Sequence, residues 1–105
     1  MSRRDIMKRL SDEEIGKKMR TLPSWRKSRN KIRKKFMFPD FVGAMAFVTS
    51  VALVAESAHH HPLILIQWNK VTLTLWTHTE GGVTQKDFTM AMKTDDVLAS
   101  LSRSE

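Results

Sequence analysis

Cysteine is absent from the 105-residue chain. That removes disulfides, thiolate nucleophiles and cysteine-type zinc sites together. Long uncharged runs are few, and the longest is Phe41 to Ala55. It is shorter than the roughly 20 residues a membrane-spanning helix needs. The opening MSRRDIMKRL has no apolar centre of the kind a secretory leader requires. Internal repeats, low-complexity tracts and linkers are lacking as well. What remains is the expectation of one soluble, cytoplasmic domain over residues 1–105, with no membrane association. A hydrophobic content of 41% suffices for a compact but small core, and chains of this size often gain burial by self-association.

Acidic residues are scarce in the first third. Residues 1–38 hold 14 Lys or Arg against 4 acids, whereas residues 39–105 hold 4 against 7. Such asymmetry can serve nucleic acid or an acidic partner. No nucleic-acid motif accompanies it, so a solvated basic surface is the preferred reading and no specific nucleic-acid partner is expected. Residues 1–10 read as a flexible basic segment.

Ser11-Asp12-Glu13-Glu14 has capping-box spacing. It predicts a helix over about 12–21 with Ile15, Met19 and Leu22 inward, stopped by Pro23. Trp25 to Lys27 reads as a short strand, and Arg29-Asn30 as a turn. Ile32, Lys34, Phe36 and Phe38 then alternate with Lys31, Arg33, Lys35 and Met37, the period of a strand with one partly buried face. Pro39 suits a first helical turn and Asp40 complements the helix dipole. The helix they open, to about Ser57, is apolar all round and so must be covered on more than one side. One sheet covers one side, which predicts a second subunit on the other, with Ala46 and Val51 at the contact.

Leu63–Trp68 and Val71–Thr77 are β-branched and aromatic runs separated by Asn69-Lys70, a hairpin signal. A two-residue turn there pairs Trp68 with Val71, Ile66 with Leu73 and Ile64 with Leu75 on one face. Leu63 and Leu65 share the other face with Trp76, an apolar patch that suggests a contact surface. The same register sets His61 opposite His78, with His60 beside them. After Glu80-Gly81-Gly82, Thr84 reads as N-cap of a last helix with Asp87 at its third position. Phe88, Ala91, Met92, Val97 and Leu98 form its inner stripe. The predicted fold is α+β: a four-stranded antiparallel sheet with three helices on one face, in the order α-β-β-α-β-β-α.

Several fixed spacings agree at once with a known family. They are Glu56-x-x-x-His60-His61-Pro62, Trp68-Asn69-Lys70-Val71-Thr72, Thr77-His78, and Gly81 to Phe88. Together they resemble the pterin-4a-carbinolamine dehydratases over about Ile15 to Leu98. The resemblance implies dehydration of a 4a-hydroxytetrahydropterin in tetrahydropterin recycling, alongside a pterin-dependent aromatic amino acid hydroxylase. It implies His60, His61 and His78 as the catalytic set, no metal or redox cofactor, and assembly as homodimer or homotetramer. Imidazole suits both proton removal and leaving-group protonation, its unperturbed pKa lying near ~6.5.

Secondary roles follow less directly. Glu56, four residues before His60, is placed to orient an imidazole. Trp25 matches a family tryptophan and is a candidate pocket residue, with Ser24 where the family has Gly. Pro62 fixes the strand entry and Thr77 offers a hydroxyl. Asp87 matches a family position, but capping accounts for it, and His59 receives no role. A histidine metal site is the main rival. Adjacent histidines at a strand start point apart, however, and carboxylates are few. A coactivator-type binding module without catalysis is the second rival. Leu63 and Leu65 stand where the family often carries acids.

Overall fold

The computed structural model describes residues 8–103. Helix α1 (Asp12–Met19) is followed by strands β1 (Arg26–Ser28) and β2 (Lys31–Met37), helix α2 (Phe41–Ala58), strands β3 (Leu63–Gln67) and β4 (Lys70–Leu75), a 3₁₀ turn (His78–Glu80), and helix α3 (Gln85–Arg103). The strands form one antiparallel sheet in the order β1-β2-β4-β3. The expected fold class and element order are what the structure has.

The capping box forms. Ser11 Oγ accepts from the Glu14 N–H at 3.1 Å and Glu14 Oε1 accepts from the Ser11 N–H at 3.0 Å. The segment before it is anchored sooner than expected. Leu10 is buried and its N–H donates to the Val83 carbonyl at 2.8 Å, while residues 1–7 of the predicted flexible segment lie outside the described residues. On β2, Ile32 and Phe36 are fully inward. Lys34 shares their face and meets Asp95 of α3 at 2.8 Å.

Asp40 is the N-cap of α2, its carboxylate accepting from the Gly43 N–H at 2.8 Å. A Cβ on Gly43 would lie 3.3 Å from that carboxylate oxygen, so glycine lets the cap close. The buried row of α2 is Ala44, Phe47, Val51 and Ala55, at the i, i+3, i+4 spacing of one helix face. Val51 is therefore core, not the subunit contact predicted for it. Ala46, Val42 and Leu53 stay exposed, the last two at 75% and 71%. By length and composition α2 could cross a membrane, with 18 residues at a mean hydropathy of 1.7. Here it lies over the sheet, where Phe47 stacks on Phe36 and Phe38 with ring centroids 4.6 and 5.1 Å apart. Fully burying a Phe contributes about 1.5–3 kcal/mol, so this trio is a major part of a small core.

Two details of the prediction shift. The second hairpin turns at Trp68-Asn69, with Gln67 paired to Lys70, Ile66 to Val71, Ile64 to Leu73 and Leu63 to Thr74. Asn69 is claimed by a tertiary contact. Its Nδ2 donates to the Phe38 carbonyl at 2.8 Å and its own carbonyl accepts from the Phe38 N–H at 2.9 Å. That leaves Trp68 to take the left-handed turn position, at φ 53°. The register moves by two residues, so every side chain keeps its face. On α3 the buried stripe is Asp87, Phe88, Met90, Ala91 and Thr94, and Met92 is 52% exposed. Phe88 and Ala91 are buried as expected and Val97 and Leu98 pack partly buried against the core, while Met90 takes the inward place expected of Met92.

Candidate active site

Two chain reversals build the site. The first ends α2. His59 adopts the left-handed conformation at φ 51°, the His59 N–H bonds to the Glu56 carbonyl, and the His60 N–H reaches back to Ala55 at 3.1 Å. This is a Schellman ending, which glycine or asparagine usually provides. A non-glycine residue there costs about 1–2 kcal/mol, and it fixes the direction in which His60 leaves the helix.

The second reversal follows β4. Thr77 pairs with Gly82 as an isolated bridge, its N–H donating to the Gly82 carbonyl at 2.9 Å, and a 3₁₀ turn carries His78. Gly81 closes that turn at φ 66°. A Cβ on Gly82 would come within 2.6 Å of Arg9 Nε, so the turn and the N-terminal segment meet backbone to side chain.

His59, His60, His61, Trp76, Thr77, His78, Thr79 and Lys86 line one cleft of about 420 Å³. The three histidines assigned by resemblance are thus brought together. The route differs from the expected one, because in the observed register His78 lies beyond the paired strands. His78 packs on Trp76 with ring centroids 4.4 Å apart, and Lys31 Nζ sits 4.3 Å above the same indole.

Beneath the cleft lies a closed polar network. Asp87 is fully buried and His60 nearly so, with His60 Nε2 and Asp87 Oδ1 2.5 Å apart. Asp87 Oδ2 accepts from Thr77 Oγ1 at 3.0 Å and from the Thr84 N–H at 2.9 Å. Thr77 has one hydroxyl proton and gives it to Asp87, so the 2.8 Å contact with Thr84 Oγ1 is one in which Thr84 donates. Thr84 Oγ1 in turn accepts from the Lys86 N–H at 3.2 Å. With Asp87 as carboxylate, Nε2 of His60 is the donor, and a neutral ring carries its lone pair on Nδ1.

The other predicted residues fall in different places. Glu56 Oε1 lies 2.8 Å from His61 Nε2, not against His60, and both side chains are largely exposed. Pro62 is half-buried, just before β3, and outside the cleft lining. Trp25 is buried in the core, packed edge-on against Phe36, with Nε1 donating to Asp95 at 3.1 Å. It too is not among the cleft-lining residues.

Two residues were given no site role from sequence, and both matter here. Asp87 does more than cap α3, since it anchors His60 and Thr77. Lys86 brings a cation to the cleft from the first turn of α3, where the helix dipole disfavours one. That broken local rule was the available signal. Among the described residues no three His, Asp or Glu side chains group as a metal site.

The sequence profile described as pterin 4 alpha carbinolamine dehydratase matches residues 8–97. A Roseiflexus sp. (strain RS-1) protein, provisionally named a pterin-4-alpha-carbinolamine dehydratase, is 51% identical over 90 residues, spanning 86% of this chain and 97% of its own length. A crystal structure of a transcriptional coactivator/pterin dehydratase from Brucella melitensis superposes with a TM-score of 0.82 at 38% identity, covering 85% of this chain and 97% of that one. A pterin dehydratase-like protein described as a RuBisCO assembly factor in the alpha-carboxysome matches at a TM-score of 0.61 and 25% identity, covering 70% and 88%. With the profile spanning nearly the whole domain and the histidine cleft in place, the chain belongs to the pterin 4 alpha carbinolamine dehydratase family.

Proposed function

We propose that the cleft dehydrates a 4a-hydroxytetrahydropterin to the quinonoid dihydropterin by histidine acid–base chemistry, with neither metal nor redox cofactor. A ring N–H loses its proton, its electron pair forms a C=N bond, and the C–OH bond breaks. The departing hydroxide takes a proton and leaves as water. One imidazole accepts the first proton and another supplies the second. The observation that carries this reading is the convergence of His60, His61 and His78 on one cleft, with His60 held from behind by buried Asp87.

The division of labour follows from burial. His60 has its Nε2 committed to Asp87, so its role is exerted through Nδ1 and a fixed ring orientation. His61 and His78 are exposed and can exchange protons with water between turnovers. Glu56 orients His61, and the Lys86 ammonium offers a fixed positive charge to the polar rim of a pterin. Thr77 acts through Asp87, its hydroxyl proton being already used. A cleft of this volume is in the range of small-molecule sites.

The setting that fits is cytoplasmic tetrahydropterin recycling beside a pterin-dependent aromatic amino acid hydroxylase. The chain would act there as a homodimer or homotetramer that covers the exposed apolar side of α2. A second reading, a binding module without catalysis, is favoured by the solved relatives described as a coactivator and as an assembly factor. His61→Ala and His78→Ala separate the two. Each is expected to lower dehydration by roughly 10²–10⁴-fold while the circular dichroism spectrum is retained. Unchanged turnover in both variants sinks the catalytic reading.

A further inference from the structure

The sheet face turned away from the helices carries a pattern that the proposed reaction does not use. Five cations lie on it, Arg26, Lys31, Arg33, Lys35 and Lys70, and among the described residues no carboxylate does. None of the five is ion-paired among the described residues. The cross-strand register arranges this face in repeated rows. Arg33 lies beside Thr74 and Leu63, and Lys35 beside Thr72 and Leu65, so each row reads cation, threonine, leucine. Leu63 and Leu65 are 56% and 63% exposed. Arg26, Arg33, Lys35, Thr72 and Leu65 line one shallow depression of about 480 Å³.

The spacing defines the partner. Successive rows are roughly 7 Å apart along the strands, and the cation and leucine columns are separated by two strand spacings, roughly 10 Å. Acids four residues apart on a helix are about 6 Å apart along its axis, and the helix with its side chains is roughly 10 Å across. An amphipathic helix can therefore set one acidic flank on the cations while its apolar stripe covers the leucines. Single-stranded nucleic acid fits less well, because it needs aromatic platforms for its bases. Among the described residues Trp76 is the only aromatic side chain that the strand alternation places on this face, and it is already in contact with both Lys31 and His78.

We infer that this open face docks an acidic amphipathic helix of a partner protein, its carboxylates on Arg33 and Lys35 and its apolar stripe on Leu63 and Leu65. The inference does not depend on the dehydratase reading, since none of these four residues lines the histidine cleft. The test is fluorescence anisotropy with a labelled synthetic helix bearing glutamates at i, i+4 beside leucines. A scrambled peptide of the same composition and an oligothymidylate serve as competitors. Saturable micromolar binding is expected. Arg33→Glu with Lys35→Glu should weaken it at least about tenfold, as should Leu65→Asp alone, with thermal melts showing that the variants fold. The scrambled peptide should bind at least about tenfold more weakly. Equal binding of the scrambled peptide, tighter binding of the oligothymidylate, or no binding at all overturns the inference. So does a Leu65→Asp variant that changes only self-association by light scattering and leaves peptide affinity intact, for that result assigns the face to a second copy of the chain.

Discussion

Replacing Asp87 by Asn tests the buried network with little change in shape. Asp87 accepts from the His60 ring, the Thr77 hydroxyl and the Thr84 N–H. Asparagine keeps one oxygen, enough for Thr77 and Thr84, but puts an NH₂ where Oδ1 met His60 Nε2. The imidazole must then accept at Nε2 and carry its proton on Nδ1, the reverse of the parent arrangement. Dehydration is expected to fall by roughly 10²–10⁴-fold, the usual worth of a general acid or base. Stability should fall by only about 1–3 kcal/mol, the order of one impaired buried hydrogen bond. Asp87→Ala is a harsher change. It strands Thr77 and Thr84 as donors and unseats His60, at about 1–3 kcal/mol for each lost acceptor. The sum approaches the lower end of a domain's total stability of about 5–15 kcal/mol. Stopped-flow dehydration with thermal melts reads rate and stability separately, and ¹⁵N shifts of the His60 ring report the tautomer. An Asn variant with the parent's rate, or with Nε2 still protonated, refutes the reasoning.

Glu56→Gln should leave the melting temperature nearly unchanged, because the exposed pair with His61 contributes only about 0–1 kcal/mol, yet should lower turnover if the carboxylate orients that ring. Val51→Glu buries a charge in the core and should cost about 4 kcal/mol or more by denaturant titration, whereas Leu53→Glu should keep the fold and, by light scattering, shift any oligomer toward monomer. The Glu14 carboxyl is held below the usual carboxylate range, first by the Ser11 backbone N–H and then by the Ser11 hydroxyl. Because its folded pKa is depressed, the contribution is present above the unfolded value and is lost as pH falls through the folded one. The protection factors of amides over 12–19, taken against the intrinsic exchange rate at each pH, should therefore fall in acid, and Glu14→Gln should remove that pH dependence.

The faces of the second hairpin were legible in the alternation of Ile64, Ile66, Val71, Leu73 and Leu75, because side-chain period is a local property. Its register was not. Asn69 turns the chain where it does because it bonds to Phe38, more than thirty residues earlier in sequence. The histidine convergence survived the error because parity was kept and because the 3₁₀ turn, not the ladder, delivers His78. Capping was enough to explain Asp87 from sequence, which hid its second task. Only the packed structure shows the carboxylate buried and turned toward His60. His59 was likewise silent, since nothing local predicts a histidine in a left-handed helix ending. Trp25 took the common fate of a tryptophan in a small core, with Asp95 satisfying its N–H.

The most direct measurement is the rate at which the purified parent chain converts a freshly generated 4a-hydroxytetrahydropterin, set against the spontaneous rate, with and without chelator. The account predicts an acceleration that survives chelation and disappears when His61 and His78 are replaced together by alanine. A parent chain that leaves the spontaneous rate unchanged, or loses its acceleration to the chelator, contradicts it.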